Sequence, residues 1–304
     1  MKSERMLIAL GFVLISVIWG STWLAIKIGL ESVPPFYGVA LRFSAAIIIL
    51  YLYQQMRGQA FPRDSASIKA YIVVAVLSFS FPFALVYWGE QYIPSGLASI
   101  LFAGYPFVVA LGSHFFLADE RLNVFKVCGI TLGFCGIVYI FWNDLAIRSG
   151  GGMGAILLST LMQGTSLIIV KRVAKHLSAA SLSLGGMMFG IVILYGLALT
   201  FEDFSDVHLD AKGLGSILYL GSFGTVVTFL TFYWLLKKVQ AVYLSLVSLV
   251  TPVLAVILGA IWLDERLEPH VYGGAVVVLI GILIANGKDL GEEILHRKNR
   301  LFSA

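Results

Sequence analysis

Charged residues are scarce in this sequence. Only 12% of its 304 residues are Asp, Glu, Lys or Arg, and 59% are hydrophobic. An average soluble domain carries about a quarter charged residues. No polar stretch is long enough to fold as a domain of its own. The composition therefore excludes an ordinary soluble protein and predicts a helical bundle in a lipid bilayer.

Cysteine is equally scarce, with Cys128 and Cys135 as the two examples. They stand seven residues apart on one predicted helix, about 10.5 Å along its axis. That separation is too large for a disulfide in an unbroken helix. A disulfide framework is therefore not expected.

The motifs of intramembrane enzymes are missing too. The sequence contains no H-E-x-x-H, no paired Asp within its apolar runs and no Ser placed with a His base. The glycines of SGGGMGA are not followed by the Lys-Ser or Lys-Thr of a phosphate-binding loop. We therefore predict no catalytic residues, no metal and no cofactor, and nothing indicates a nucleic-acid partner.

What the sequence does contain is a series of apolar runs of about 20 residues, the length that crosses a bilayer as a helix. The runs lack the alternation of a membrane strand. The first run has no A-x-A cleavage site, so it is interpreted as a retained helix rather than a signal peptide. Ten runs are counted: 6-28, 36-54, 70-89, 95-117, 124-142, 151-171, 180-200, 213-236, 241-263 and 271-287.

The distribution of Lys and Arg predicts the orientation of these helices. With the N-terminus inside, 16 of the 21 basic residues lie on the cytoplasmic side and four lie outside. Such a bias in short loops predicts that both termini are cytoplasmic. The outer four are Lys27, Arg148, Lys212 and Arg266, and Arg42 alone falls inside a helix.

An internal repeat divides the chain. YPFVVALGSHFFLADERL aligns with TPVLAVILGAIWLDERL, which pairs Pro106 with Pro252 and Asp119 with Asp264 at offsets of 146 and 145. WGSTWLAIK pairs with QGTSLIIVK at an offset of 144. We predict two five-helix units, 6-142 and 151-287, and a cytoplasmic tail, 288-304. Because five is odd, the second unit enters the membrane from the opposite side.

Inverted repeats are typical of transporters that alternate between inward-open and outward-open states. The fold class predicted is therefore an all-α polytopic membrane protein, with ten transmembrane helices as two inverted-topology five-helix repeats. A duplicated scaffold without transport activity is the alternative.

Several spaced features make residues 8-287 resemble the EamA domain of the drug/metabolite transporter superfamily. They are Trp19-Gly20, Arg42, Pro106 and Pro252, the two Glu-Arg junctions and the glycine-rich fifth and tenth helices. The resemblance implies a ten-helix secondary carrier in a bacterial cytoplasmic membrane, often an exporter of amino acids or related metabolites. Gly186 departs from the repeat where a counterpart of Arg42 would lie.

Arg42 lies about 9 Å below the outer end of the second helix, where an unpaired charge costs several kcal/mol. We expect it to pair with Glu90, at the same level of the third helix. Two readings stay open: a permanent ion pair, or an outer gate and anchor for a substrate carboxylate. Glu90 is also the leading protonatable candidate, since no Asp or Glu lies at mid-membrane in any predicted span.

A central pocket is expected around Trp19 and Trp23, which share one face of the first helix. Pro106 and Pro252 should kink the fourth and ninth helices and free backbone carbonyls toward it. Polar residues there also commonly join neighbouring helices. The predicted substrate-binding residues are Trp19, Trp23, Tyr87, Tyr105, Gln163, Ser166, Thr228, Tyr233 and Ser248.

The acidic junctions at Glu120 and Glu265 precede helices, where carboxylates favour the helix dipole. A structural role is expected first and a gate second. For the whole protein, an exporter of amino acids or small metabolites is the leading hypothesis. A carrier of sugars, nucleosides or sugar nucleotides is the alternative, and a lipid scramblase or intramembrane enzyme belongs to another class. The expected partners are the bilayer and a small-molecule substrate, and the chain is a monomer or a homodimer.

Overall fold

The computed structural model describes residues 2–117, 123–143, 147–245, 247–281 and 283–284, and every element in these ranges is helical. A π-helical segment, Ala75–Ser80, lies within the third span, and a second, Ser222–Val227, lies within the eighth. The α-helices are α1 (Lys2–Gly29), α2 (Pro35–Met56), α3 (Ser65–Val74), α4 (Phe81–Glu90), α5 (Ser95–Phe102), α6 (Tyr105–Phe116), α7 (Val124–Asn143), α8 (Ile147–Val173), α9 (Ala179–Phe201), α10 (Ala211–Gly221), α11 (Thr228–Leu236), α12 (Ala241–Ser245), α13 (Val247–Leu263) and α14 (Pro269–Gly281).

Seven helical stretches of the described chain are long and apolar enough to cross a membrane, and three apolar helices are shorter. All ten lie at positions predicted from the sequence. The chain is therefore an all-α polytopic membrane protein whose ten transmembrane helices form two inverted five-helix repeats. The seven are Met6–Gly29, Pro35–Met56, Ser65–Glu90, Ser95–Phe116, Gly150–Val173, Ala179–Phe201 and Ala211–Leu236; the shorter ones are Val124–Ile140, Val250–Leu263 and Pro269–Gly281.

The third span begins earlier than predicted because a side chain caps it. Asp64 accepts hydrogen bonds from the backbone N–H groups of Ala66 and Ser67, both at 3.1 Å, so the helix starts at Ser65 instead of residue 70. Asp210 does the same for the eighth span by accepting from Gly213 N at 2.7 Å. Apolar run length marks where a span crosses lipid, whereas these polar caps mark where the helix begins.

Equivalent contacts in the two halves confirm the repeat. A Cβ added to Gly20 of α1 would lie 2.7 Å from Leu254, and one added to Gly164 of α8 would lie 2.6 Å from Val108. Gly20 and Gly164 are 144 residues apart, and Val108 and Leu254 are 146 apart, so the two contacts are equivalent in the repeat. The first helix of each half thus packs against the fourth span of the other half, α1 on α13 and α8 on α6.

The lysines at the ends of these first helices also act in parallel. Lys27 Nζ donates to the backbone carbonyls of Glu90 and of Ile93, the latter at 2.9 Å. Lys171 Nζ donates to the carbonyl of Val239 at 3.3 Å. Val239 is the repeat counterpart of Ile93. Each lysine therefore satisfies carbonyls where the third span of one half ends.

Carboxylates from the second half cap helices of the first half at the end of the bundle that carries Glu31, called here the Glu31 end. The residue before α2 is Pro34, which has no side-chain acceptor, and Glu202 replaces it by accepting from Phe36 N at 2.7 Å and Tyr37 N at 2.9 Å. Burial raises the pKa of the Glu202 carboxyl, and the two N–H bonds act against that rise.

The glycine-rich faces of α7 and α14 pack against each other within one chain. A Cβ on Gly136 would lie 2.9 Å from the carbonyl oxygen of Gly274, and one on Gly281 would lie 2.6 Å from that of Gly129. Small residues permit this close approach of two backbones. These faces are therefore occupied inside the monomer.

The substitution Gly136→Ala should destabilise the protein by about 1–3 kcal/mol, because the added methyl group meets the backbone of α14. Gly196→Ala in α9 is the matched control, since no atom lies within 4 Å of its Cβ position. We expect thermal unfolding in detergent to show a lower midpoint for Gly136→Ala and an unchanged or higher one for Gly196→Ala. Equal midpoints would contradict the close packing of α7 on α14.

Candidate functional site

A central cavity lies where the two halves of the bundle meet. Its volume, measured as the space open to the centre of a water molecule, is about 80 Å³. Helices of both repeats contribute the lining residues, which are Trp19, Thr22, Trp23, Ile26, Arg42, Ser78, Phe83, Val86, Phe102, Tyr105, Gln163, Leu167, Val170, Phe229, Phe232, Tyr233, Leu244, Ser245, Val247, Ser248 and Thr251.

Eight of the 21 residues that line the cavity are aromatic. The Trp19 ring lies 5.2 Å from that of Phe232 and 5.7 Å from that of Phe229. On the next turn of α1, the Trp23 ring lies 5.5 Å from that of Phe102. Phe102 stacks on Tyr105 at 5.7 Å. Such a wall suits an apolar or aromatic group better than a strongly hydrated one.

Polar groups in the wall are few, and several bond to nearby protein atoms. Ser248 Oγ donates to Ser245 O at 2.8 Å, and Thr22 Oγ1 donates to Trp19 O at 2.8 Å. Gln163 Nε2 donates to Ser159 Oγ at 3.2 Å. A ligand would therefore find a small number of fixed polar positions between rings.

The two π-helical segments stand behind this wall as repeat counterparts. In the first, Ser80 Oγ donates to Ala75 O at 2.6 Å; in the second, Thr225 Oγ1 donates to Leu220 O at 2.7 Å. In both bonds the acceptor lies five residues before the donor. The two donors are 145 residues apart in the sequence, and so are the two acceptors. The hydroxyl groups thus engage carbonyls at the π-helical turns, which often occur at functional sites.

Arg42 reaches the cavity wall from α2 and is 1% exposed. Its Nε donates to Thr225 Oγ1 at 2.8 Å, and its Nη2 donates to Gly224 O at 3.1 Å. Its guanidinium carbon lies 4.7 Å from the centre of the Phe83 ring and 5.7 Å from that of Phe43. The second π-helical segment and two rings therefore hold this cation in place.

The predicted pairing of Arg42 with Glu90 is wrong as a hydrogen-bonded contact. Arg42 Nη1 and both carboxyl oxygens of Glu90 are buried without a hydrogen-bond partner. Glu90 is fully buried, and Lys27, Glu265 and Arg42 act on its carboxyl group only as neighbouring charges. The π-helical segment places a hydroxyl and a carbonyl within reach of Arg42, and depth along the helices could not reveal those acceptors.

Six of the nine predicted substrate-binding residues line the cavity, and three lie behind it. Tyr87 packs against α2, with its ring 3.3 Å from the Cβ position of Gly38. Ser166 Oγ pairs with Ser78 Oγ at 2.7 Å, and Thr228 Oγ1 donates to Gly224 O at 2.8 Å. The six are Trp19, Trp23, Tyr105, Gln163, Tyr233 and Ser248.

The two prolines occupy different places in their helices. Pro106 lies in the first turn of α6, directly after a break at 103–104. Pro252 lies inside α13, where it removes the N–H that would bond Ser248 O. Thr251 Oγ1 donates weakly to that carbonyl at 3.4 Å, so the Ser248 carbonyl already has a hydrogen-bond partner within the protein.

Glu265 caps a helix at the Glu31 end. Its carboxylate accepts from Ser95 N at 2.9 Å, Ser95 Oγ at 2.8 Å and Gly96 N at 3.3 Å, at the start of α5. The residue before α5 is Pro94, which again offers no side-chain acceptor. Glu120 lies outside the described residues.

Sequence reasoning missed several lining residues, four of them aromatic. Phe83, Phe229 and Phe232 follow the π-helical segments. The positions of such segments cannot be predicted from the periodicity of the sequence. Ser78 could have been found as a hydroxyl residue in the middle of the long apolar third span. Within the described residues, no group of three His, Cys, Asp or Glu side chains is placed to hold a metal.

Comparison with known proteins gives one family and consistent relatives. The model of the EamA-like transporter family matches residues 6–142 and again 150–287. The uncharacterized transporter YoaV of Bacillus subtilis is 29% identical over 282 residues, covering 91% of this chain and 96% of its own. The uncharacterized inner membrane transporter YedA of Escherichia coli is 26% identical over 279 residues, covering 90% and 89%.

A solved crystal structure shares the fold. It superposes with a TM-score of 0.71 at 19% sequence identity, covering 92% of this chain and 97% of that chain. At this identity the likeness concerns the architecture alone.

Removing the Glu265 carboxylate should destabilise the fold by about 1–2 kcal/mol, because three donors at the start of α5 lose their acceptor. We expect Glu265→Ala to lower the thermal midpoint in detergent, and Glu268→Ala, at an exposed neighbouring carboxylate, to leave it unchanged. A gate without a capping role would show the reverse: normal stability with altered transport.

Proposed function

Because the chain belongs to the EamA-like transporter family of the drug/metabolite transporter superfamily, we propose that it is an alternating-access carrier exporting amino acids or related small metabolites. The observation that carries this proposal is the central cavity, whose wall is built from both halves of an inverted repeat. In such a frame, motion of one half against the other opens a shared cavity to either side.

The chemistry of the cavity favours small molecules with an apolar part. Trp19, Trp23 and Tyr233 provide flat surfaces, and Gln163 and Ser248 provide hydrogen-bonding groups. A sugar nucleotide carries several negative charges and would call for a strongly basic cavity. Arg42 is the one cationic residue among the described lining residues. Neutral amino acids therefore fit better than sugar nucleotides; sugars and nucleosides are the second candidates, since rings also stack on them.

The proposal includes an orientation in the bacterial cytoplasmic membrane. Both termini face the cytoplasm, as the bias of basic residues predicts. The Glu31 end then faces outward. YedA, one of the relatives, is named an inner membrane transporter. The repeats 6-142 and 151-287 act as the two moving units, and the chain works as a monomer or homodimer.

Transport can be tested directly in liposomes. We expect the purified protein to move labelled leucine, phenylalanine or threonine, and Trp19→Ala to slow that flux by about tenfold, the effect of losing roughly 1.4 kcal/mol of binding. Trp262→Ala is the matched control, because Trp262 is 64% exposed and does not line the cavity. Unchanged flux in Trp19→Ala would remove this residue from the site.

Orientation can be tested by labelling single cysteines in a background in which Cys128 and Cys135 are replaced. A membrane-impermeant maleimide added to intact cells should label Lys212→Cys and spare Lys175→Cys until the cells are opened. The opposite pattern would place the Glu31 end in the cytoplasm.

A further inference from the structure

Arg42 has one buried nitrogen without a well-formed hydrogen bond to the protein. Nε and Nη2 are bonded to Thr225 and Gly224, whereas Nη1 is buried without a partner. An arginine side chain keeps its charge in proteins and offers a planar fork of N–H groups. A buried N–H on a charged group is costly when it bonds to nothing. Nη1 is therefore a position where an acceptor would be strongly favoured.

No carboxylate of the described chain hydrogen-bonds this cation. Both oxygens of Glu90 lack a hydrogen-bond partner, so they do not bond Arg42. The Tyr87 hydroxyl lies within hydrogen-bonding range of the Arg42 side chain, but a neutral hydroxyl cannot balance a charge. The rings of Phe83 and Phe43 stabilise the guanidinium through their π-faces only. Among the described residues that line the cavity, Arg42 is thus the one charged side chain, and it lies among mostly apolar surfaces.

The repeat shows that the architecture does not require a cation here. The counterpart of Arg42 in the second half is Gly186, and its Cβ position lies 2.8 Å from Val74 and 2.9 Å from Phe79. There the third span packs directly on the helix backbone, and the frame is stable without a charged residue. Arg42 therefore breaks the symmetry between the two repeats. A charged group present in one repeat only can distinguish one end of a ligand from the other.

We propose that Arg42 is a specificity-determining residue whose guanidinium group binds the carboxylate of the transported amino acid. The proposal rests on the proposed function and adds the residue that recognises one end of the substrate. Bonds between guanidinium and carboxylate are charge-assisted and short, and they compensate both groups for leaving water. Thr225 and Gly224 fix the orientation of the guanidinium, and Trp19 and Trp23 receive the rest of the molecule.

The first test uses the wild-type protein in liposomes, so it does not depend on a variant that folds. The probe is whichever of leucine, phenylalanine and threonine is moved fastest, in competition with its primary amide. The amide keeps the ammonium group and side chain but has no carboxylate. We expect the amide to compete at least about tenfold more weakly, as the loss of a charge-assisted bond implies.

The second test uses Arg42→Met and Arg42→Lys, each checked for monodisperse elution and thermal unfolding. Arg42→Met should abolish the preference for the acid over the amide, and Arg42→Lys should restore part of it. Lys212→Met, which removes a cation that is 59% exposed at the Glu31 end, is the matched control and should keep the full preference. A purely structural role of Arg42 would lower flux of both compounds without changing their ratio.

The outcomes separate the two proposals. If the wild type moves an amino acid and its amide competes equally, the carboxylate proposal is overturned and the proposed function stands. An unchanged acid-to-amide ratio in folded Arg42→Met overturns it as well. If the wild type moves no amino acid in liposomes, both proposals fail.

Discussion

Every backbone N–H and C=O group within the bilayer must find a partner inside the protein, because lipid offers none. This constraint matters most where helices begin, end or change type. In this molecule the missing partners often come from the opposite repeat. Glu202 caps α2, and Glu265 caps α5. Arg42 binds the carbonyl of Gly224 beside a π-helical turn. The same bonds that satisfy the backbone therefore hold the two halves together around the cavity.

The sequence predicted the architecture well because span length and repeat spacing follow directly from physical constraints. A span needs about 20 apolar residues, and two copies leave a constant offset, so the ten spans and their inversion could be derived. Six predicted residues line the cavity because Trp19 and Trp23 fix one face of α1 and the repeat identifies α8 as its counterpart. The start of the third span was misplaced because Asp64, a polar cap, determines it.

The pairing of Arg42 could not be derived in the same way. Depth along a helix gives the level of a charge but not the direction in which it points. The acceptors at Gly224 and Thr225 exist there because the eighth span contains a π-helical segment, and side-chain periodicity does not reveal one. Tyr87 and Ser166 face neighbouring helices, and Thr228 bonds back to Gly224 in its own span. Sequence therefore fixes position along the membrane normal better than rotation about a helix axis.

The two π-helical segments also constrain how length changes are tolerated. A π-helical turn holds about one residue more than an α-helical turn, so it rotates all following side chains by about 100°. Phe83 and Val86 follow the first segment, and Phe229 and Tyr233 follow the second, so these segments select the faces that line the cavity. Deleting a single residue from either segment would turn a different set of side chains toward the ligand. In such a protein, the loss of a single codon can change which side chains line the cavity, although every remaining residue is unchanged.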